Sequence, residues 1–260
     1  MSFLRKLIIM KNRISVITVV KNDKNNIQKT INSVLNQKKC NFEYIIFDGN
    51  SKDGTSKKIN KYKKKIKIFR QNDLNLYDGI NKAIKLSSGN YIFLIHSGDI
   101  FKKNNVLKNI SRNLNTKPDF ISGNIMYYKI VNNRKLINRV WRHPIKKINK
   151  FSVLKIPHTS LVIKKKLIEK LNYYDTQYDI SSDTDFLIRL SHINSLKHIY
   201  VDNFFLYMKN EGLSTKKKNF IRKVTQDFKI LFKNYNLFFF VYYIYKIHFK
   251  ILDFFKNKYK

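Results

Sequence analysis

Short runs of β-branched and aromatic residues alternate with stretches of helical apolar spacing in the N-terminal part of the chain. The strand-like runs are 14–20, 44–47, 66–69 and 91–95, and the helical stretches between them are 27–35, 52–64 and 76–86. Strands that alternate with helices of about a dozen residues are typical of βαβ units. The pattern therefore predicts an α/β fold with a mostly parallel sheet, in which ligands bind at the carboxyl ends of the strands.

Beyond residue 100 the apolar pattern is less regular. Strand-like runs occur at 119–129 and 160–163, and helical stretches occur at 164–171 and 183–191. These segments predict further strands and helices that extend the same domain.

The C-terminal residues 216–260 differ in composition from the rest. They carry 12 basic and 2 acidic side chains interleaved with Phe and Tyr, and the apolar residues at 228–255 have helical spacing. No stretch of the chain reaches the roughly 18 uninterrupted apolar residues of a membrane span. Two positions for this tail remain open. It is either a helix packed on the domain or a helix in the membrane interface, with its lysines on anionic head groups.

The whole chain is strongly basic, with 53 Lys and Arg residues against 17 Asp and Glu residues and a net charge of +36. A codon bias towards Lys, Asn, Ile, Phe and Tyr explains this excess without a polyanionic partner. The functional alternative is attraction to nucleic acid or to an anionic membrane surface. A hydrophobic content of 43% excludes global disorder, and the single Cys40 excludes a disulfide scaffold or a thiolate zinc cluster.

Two acidic turns follow strands of the predicted sheet. The segment 48–55 (Asp-Gly-Asn-Ser-Lys-Asp-Gly-Thr) follows the second strand, and the segment 96–99 (His-Ser-Gly-Asp) follows the fourth. Carboxylates at such strand ends accept hydrogen bonds from a nucleotide base or ribose, and Asp99 could hold a divalent cation against a diphosphate. Either segment alone is more often a plain turn, in which Asp or Asn bonds its own backbone.

In their order and spacing, these segments resemble the family 2 glycosyltransferases, which are inverting enzymes with the GT-A fold. The motifs that carry the resemblance are Ile-Ser-Val-Ile-Thr-Val-Val-Lys-Asn at 14–22, Ser-Val-Leu-Asn-Gln at 33–37, Glu-Tyr-Ile-Ile-Phe-Asp-Gly at 43–49, Leu-Tyr-Asp-Gly-Ile-Asn-Lys-Ala-Ile at 76–84, Ser-Gly-Asn-Tyr-Ile-Phe-Leu at 88–94 and Ser-Gly-Asp at 97–99. No piece is specific alone, but their joint occurrence is.

The resemblance implies a Rossmann-like fold of the nucleotide-diphospho-sugar transferase type. Residues 1–215 would form the GT-A catalytic domain, with a nucleotide-sugar-binding half at about 14–100 and an acceptor-side half at about 101–215. Residues 216–260 would form the basic, aromatic helical tail.

The resemblance also implies roles for individual residues on the donor side. Asp48 matches the family acid that contacts the nucleotide base, and Thr18 and Asp78 would lie near the same pocket. Asp99 matches the last acid of the family's metal-binding motif, which holds Mn²⁺ or Mg²⁺ against the donor diphosphate. Ser97 stands where a full Asp-x-Asp motif has its first acid, so we expect weaker metal affinity.

On the acceptor side, the segment 182–190 matches the family stretch that commonly reads Glu-Asp-x-Asp/Glu-Leu. The resemblance implies that Asp183 is the catalytic base, with Ser182 in place of the Glu. A base acts only within about 3 Å of the acceptor oxygen, on the face of the sugar opposite the leaving diphosphate. Asp185 is the rival base, although a first-turn partner of Arg189 is the simpler role for it.

Three further residues are acceptor or closing-loop candidates by the same resemblance. His158 opens a His-Thr-Ser segment like the family's segment before a strand, and Gly212 and Ser214 resemble a late Gly-x-Ser element that closes over the donor.

The resulting prediction is a glycosyltransferase of bacterial cell-surface polysaccharide biosynthesis (capsule, O-antigen or lipooligosaccharide). It would take a nucleotide-diphosphate sugar and a glycan or lipid-linked acceptor, in the cytoplasm or on the inner face of the cell membrane. One alternative is an inactive family member that binds a membrane or a partner, because Ser97 and Ser182 replace family acids. The other is a basic nucleic-acid-binding protein, although its lysines are dispersed and no nucleic-acid motif is present.

Overall fold

The computed structural model describes residues 13–132, 134–209, 219–238, 240–244 and 248. Within them, the strands are β1 Ile14–Val20, β2 Phe42–Asp48, β3 Lys67–Arg70, β4 Tyr91–Leu94, β5 Ile100–Phe101, β6 Phe120–Val131, β7 Arg134–Trp141, β8 Val162–Lys164 and β9 His198–Lys209. They form one sheet in the order β3-β2-β1-β4-β8-β6-β9-β5, with β7 paired to β6. The α-helices are α1 Ile27–Leu35, α2 Thr55–Asn60, α3 Leu76–Leu86, α4 Val106–Asn113, α5 Lys165–Lys170, α6 Ser182–Ser191 and α7 Phe220–Tyr235.

The central strands β3, β2, β1 and β4 are all parallel, as the alternating pattern predicts. Strand β8 enters antiparallel between β4 and β6, and β6 pairs in parallel with β9. Because β1, β2 and β4 run the same way, the two acidic turns that follow β2 and β4 lie on one edge of the sheet.

Apolar residues cover both faces of this sheet. One face packs against α1 through Ile27, Ile31 and Val34, and the other packs against α3 and α6 through residues such as Ile80 and Phe186. Every residue of β1 is buried, which is typical of a strand covered by helices on both sides. The two halves of the predicted catalytic domain therefore share one continuous sheet.

Several elements differ from the sequence prediction. The basic helix predicted at 52–64 is shorter, because Asp53 and Gly54 form its turn and only Thr55–Asn60 is α-helical. Strands β7 and β9 were not predicted, since most of their side chains are exposed or half-buried and their sequences lack a clean apolar alternation. Helix α4 was also missed, because three buried apolar residues give too short a pattern.

The tail helix begins at Phe220 rather than at residue 228. Ile230, Leu231 and Tyr235 on α7 pack with Ile188 of α6, so this part of the tail lies on the domain. The opposite side of α7 leaves Phe228 and other apolar side chains exposed. In the described part of the chain, no helix combines the length and apolar character needed to cross a bilayer.

Candidate active site

The first acidic turn is held in shape by Asp48, the last residue of β2. Its Oδ1 accepts a hydrogen bond from the Ser51 backbone N–H at 2.9 Å. Its Oδ2 accepts hydrogen bonds from the Ser56 hydroxyl and, at 3.3 Å, from Arg70 Nε. The Asp48 side chain is fully buried. Asp48 therefore anchors this turn, in which Asn50, Lys52 and Asp53 are exposed to solvent.

A second carboxylate beside this turn was not singled out by the sequence reasoning. Asp73 is buried and forms an ion pair with Lys21 Nζ at 2.8 Å. Two glycines leave room for it, because a Cβ on Gly79 would lie 3.2 Å from Asp73 Oδ2 and a Cβ on Gly49 would lie 2.9 Å from Asp73 Cγ. These glycines, both within the matched motifs, were the one available signal that a group packs tightly there.

Helix α3 begins beside Asp73 and carries Asp78 in its first turn. Asn75 caps the helix by accepting hydrogen bonds from the backbone N–H groups of Tyr77 and Asp78. Asp78 in turn accepts from the Leu74 N–H at 3.0 Å and pairs with Lys82 at 2.9 Å. Burial opposes ionisation of Asp78, but these two partners lower its pKa below the ordinary value. Asp78 thus stabilises the start of α3.

The second acidic turn is fixed by hydrogen bonds to its backbone. The Thr30 hydroxyl accepts from the Gly98 N–H at 2.9 Å and donates to the Asp99 carbonyl at 2.8 Å. The Tyr128 hydroxyl donates to the Gly98 carbonyl at 2.6 Å. Gly98 has a φ of 97°, a left-handed conformation that residues with a Cβ rarely adopt. These contacts set the direction of the Asp99 side chain.

Asp99 is buried and carries one oxygen without a protein partner. Its Oδ1 accepts the Lys209 backbone N–H at 2.9 Å, whereas Oδ2 has no hydrogen-bond partner among the described residues. Burial raises the pKa of Asp99 to about 7, although the Lys209 N–H and the nearby His158 oppose this rise. A buried carboxylate oxygen of this kind is costly unless a cation or a donor meets it.

Asp183 lies at the start of α6 and contacts side chains from two other segments. Its Oδ2 lies 2.9 Å from His158 Nδ1, and its Oδ1 lies 3.2 Å from the Tyr77 hydroxyl. The His158 ring is 5.8 Å from the ring of His96, which precedes the Asp99 turn. Burial and the charge of Asp183 raise the pKa of Tyr77 well above its ordinary value, so Tyr77 stays a neutral hydroxyl. Asp183 and Asp99 therefore belong to one cluster.

His96 is the neutral member of this cluster. Burial, together with the neighbouring His158, lowers the pKa of His96 to about 4, although the charge of Asp183 opposes this shift. Tyr77 was part of a matched motif, but its contact with Asp183 could not be read from the sequence because the two residues are far apart in the chain.

Asp185 faces the interior rather than this cluster. Its Oδ2 accepts a hydrogen bond from Arg189 Nε at 2.7 Å, and the Asp185 side chain is almost fully buried. Arg189 also donates to the backbone carbonyls of Leu171 and Tyr173. Asp185 therefore ties α6 to the segment after α5, as the simpler interpretation of the sequence has it.

The structure does not bring every expected residue to the cleft. Thr18 is fully buried in β1, and its hydroxyl lies 3.0 Å from the Tyr44 hydroxyl in the interior. Gly212 and Ser214 lie outside the described residues. Ser97 and Ser182, which replace family acids, have buried hydroxyls with no partner in the described part of the chain.

A sequence-family model for glycosyl transferase family 2 matches residues 15–172, more than half of the chain. Among curated relatives, the chain is 30% identical over 128 residues to the UDP-Glc:alpha-D-GlcNAc-diphosphoundecaprenol beta-1,3-glucosyltransferase WfgD of Escherichia coli. That alignment covers 48% of this chain and 49% of WfgD, so the chain spans about half the length of this relative.

Two solved glycosyltransferases resemble this structure. S. aureus TarS 1-349 in complex with UDP-GlcNAc has a TM-score of 0.67 and 17% identity, over 92% of this chain and 71% of that chain. The mannosyltransferase PcManGT of Pyrobaculum calidifontis, in complex with GDP-Man and Mn²⁺, has a TM-score of 0.57 and 13% identity, over 85% of this chain and 62% of that chain. At these identities the likeness concerns the fold, and it confirms the predicted fold class.

Proposed function

Because the chain belongs to glycosyl transferase family 2 and is a glycosyltransferase, we propose that it moves a sugar from a nucleotide-diphosphate sugar to a glycan or lipid-linked acceptor with inversion. The observation that carries the proposal is that Asp183 and Asp99, more than eighty residues apart in the chain, both lie near His158, which contacts Asp183 directly and interacts electrostatically with Asp99. Inverting transfer needs a base on one side of the anomeric carbon and charge stabilisation on the other. The cluster offers one carboxylate for each task.

Asp183 is the base in this proposal. Its carboxylate is partly exposed, and both of its oxygens lie near hydrogen-bonding groups that fix its orientation. A base held in one orientation accepts the acceptor's hydroxyl proton without first reorganising. His158 is a positioning residue for Asp183, which is a more specific role than the acceptor-side contact inferred from the sequence.

Asp99 is the proposed ligand of Mn²⁺ or Mg²⁺. The unpartnered Oδ2 is a hard oxygen of the kind that these cations prefer. The described residues contain no group of three or more His, Cys, Asp or Glu side chains that could hold a metal without help. The remaining ligands would therefore be oxygens of the donor diphosphate and water, and the cation would neutralise charge that develops on the leaving diphosphate.

The nucleotide would bind at the edge formed by the 48–55 turn, Lys21 and the start of α3. Asp48 and Asp78 remain the expected residues of this pocket, and we add the Lys21–Asp73 ion pair to them. Lys21 is about half exposed and so is able to reach a phosphate or ribose while Asp73 holds it. In this division, about 14–100 binds the donor and about 101–215 forms the acceptor side.

The acceptor in this proposal is a lipid-linked glycan. WfgD is named for a diphosphoundecaprenol-linked acceptor, which supports a lipid-linked glycan here and a place in cell-surface polysaccharide biosynthesis. Such an acceptor would bring the enzyme to the inner face of the cell membrane. The exposed Phe228 and Phe232 of α7, beside Lys229 and Lys233, would contribute peripheral contact with anionic lipid. The family match does not favour the nucleic-acid-binding alternative.

The experiment that tests the function is a screen of nucleotide sugars for thermal stabilisation of the protein, with and without Mn²⁺. A ligand that binds only the folded state raises the melting temperature, and the stabilisation grows with the logarithm of its concentration relative to Kd. We expect one nucleoside diphosphate and its sugars to stabilise the protein when Mn²⁺ is present. If no nucleotide sugar stabilises it, and the purified protein hydrolyses none of them, the catalytic proposal fails and the inactive-member alternative replaces it.

A further inference from the structure

The ends of β6 and β7 form a two-stranded arm, which we define as residues 129–131 and 134–137. Strand β6 pairs with β9 as far as Tyr128, opposite Lys209. In the described part of the chain, the arm beyond this point pairs only within itself. A register shift between Tyr127 and Tyr128 bends the ladder where the arm begins.

Apolar and basic residues alternate across the arm. Each of its last three cross-strand pairs joins one basic and one apolar side chain: Lys129 with Leu136, Ile130 with Lys135, and Val131 with Arg134. The arm contains no acidic residue. Its four apolar residues, Ile130, Val131, Leu136 and Ile137, are all exposed, with Leu136 at 45%.

This composition selects among possible partners. If a protein such as a second copy of this chain covered the arm, it would bury one cation together with each apolar residue of these pairs. Burial of a cation is costly unless an acidic residue pairs with it. The head-group layer of an anionic bilayer accepts both, because apolar side chains enter the acyl boundary while Lys and Arg remain at the phosphates. Lys135 Nζ lies 3.5 Å from the centre of the Tyr207 ring on β9, so this cation also contacts the protein.

The arm begins beside the proposed reaction centre. Tyr128 is the last residue of β6 before the arm, and its hydroxyl donates a hydrogen bond to the Gly98 carbonyl. Lys209 lies opposite Tyr128 on β9, and its backbone N–H donates a hydrogen bond to Asp99 Oδ1. Val131 is three residues beyond Tyr128, a distance of about 10 Å along a strand. A surface that contacts the arm tip is therefore close to the Asp99 turn.

We propose that the arm docks on an anionic phospholipid bilayer and thereby holds the Asp99 and Asp183 cluster at the head-group level, where the diphosphate of a lipid-linked acceptor lies. The docking surface itself is independent of the sugar transferred, but its use for a lipid-linked acceptor rests on the proposed function. It is also distinct from the exposed side of α7, which lies on another part of the fold.

The test is flotation of the full chain with vesicles of phosphatidylcholine alone or mixed with phosphatidylglycerol. We expect binding only to the anionic vesicles. The double variant Ile130→Ser/Leu136→Ser should bind at least about tenfold more weakly, and Arg134→Gln/Lys135→Gln should lose about fivefold per charge. The matched control is Leu86→Ser on α3, where the leucine is equally exposed at 44% and should be dispensable.

Wild-type affinity in both arm variants would overturn the proposal and leave α7 as the contact. Equal binding to neutral vesicles would also overturn it. A shift in oligomeric state of the arm variants, measured by analytical ultracentrifugation, would assign the arm to a second copy instead. Donor binding in solution requires no vesicle, so a failure here is distinguishable from a failure of the proposed function.

Discussion

His158 Nδ1 lies 2.9 Å from Asp183 Oδ2, and this contact connects the turn before β8 to the first turn of α6. The other oxygen of Asp183 accepts the Thr184 N–H at 2.8 Å and lies 3.2 Å from the Tyr77 hydroxyl. The carboxylate is therefore oriented from three sides while part of it stays open to the cleft. This geometry separates the effects that substitutions of Asp183 and His158 should have.

Replacement of Asp183 by Asn should abolish transfer while donor binding persists. The amide keeps the size of the side chain but cannot take the acceptor proton, and loss of a general base costs about 10² to 10⁴ in rate. The check is kcat for transfer together with the Kd of the nucleoside diphosphate from isothermal titration. Transfer at the wild-type rate would assign the base to another residue.

Replacement of His158 should distinguish a positioning residue from a merely structural one. His158→Ala removes the donor to Asp183 and should lower kcat with little change in the KM for the donor sugar. His158→Asn keeps an N–H near the position of Nδ1 and should recover part of that loss. Equal activity of the two variants would contradict a role for this hydrogen bond.

Substitutions at the second acidic turn should change the dependence on the cation. Asp99→Asn should weaken binding of the nucleoside diphosphate in the presence of Mn²⁺. In the absence of Mn²⁺, where binding is weaker, the variant and the wild type should bind it equally. Ser97→Asp restores the first acid of the Asp-x-Asp motif and should lower the Mn²⁺ concentration that gives half-maximal donor binding. Titration of Mn²⁺ at fixed donor concentration measures both effects. If the Asp99→Asn variant depends on Mn²⁺ as the wild type does, Asp99 is not a ligand of the cation.

Asp185→Asn should affect stability rather than chemistry. The change leaves Arg189 without its buried charge partner, and breaking such a pair costs about 3 kcal/mol. Urea unfolding should show this loss, while donor binding by the folded protein should match that of the wild type. A variant with unchanged stability and no transfer would instead make Asp185 the base.

Glu43 should make the stability of the fold depend on pH. Burial raises its pKa, but hydrogen bonds from Lys67, Ser15 and Ser88 outweigh burial and lower the pKa from 4.5 to about 2. Because the folded-state pKa is the lower one, Glu43 stabilises the fold above pH 4.5 and this contribution is lost as the pH falls from 4.5 to 2. The melting temperature should fall more steeply with decreasing pH across this range in the wild type than in Glu43→Gln, whose side chain does not titrate. Parallel curves would contradict the assignment.

Residues 14–100 were predictable because their elements follow the simplest rules. Strands such as β1 are buried on both faces and appear as largely apolar, β-branched runs, Asp48 ends β2, and Asp99 lies in the turn that follows β4. The residues beyond 100 were less predictable, since β9 is half-buried and gains its place by pairing with a strand far away in the chain. The Lys21–Asp73 pair was invisible for the same reason, because only tertiary packing brings these residues together.

If the donor binds at Asp99 as proposed, the hydrogen bond from Lys209 to Asp99 makes one amide proton a reporter of donor occupancy. Lys209 is the last described residue of β9, and its N–H has the carboxylate as its acceptor. Exchange of that proton with solvent requires opening of this bond, so its rate reports the local opening free energy. Any ligand that draws charge from Asp99 alters the strength of the bond and the exchange rate with it. The end of β9 and ligand binding at Asp99 are thus thermodynamically linked through a single backbone group.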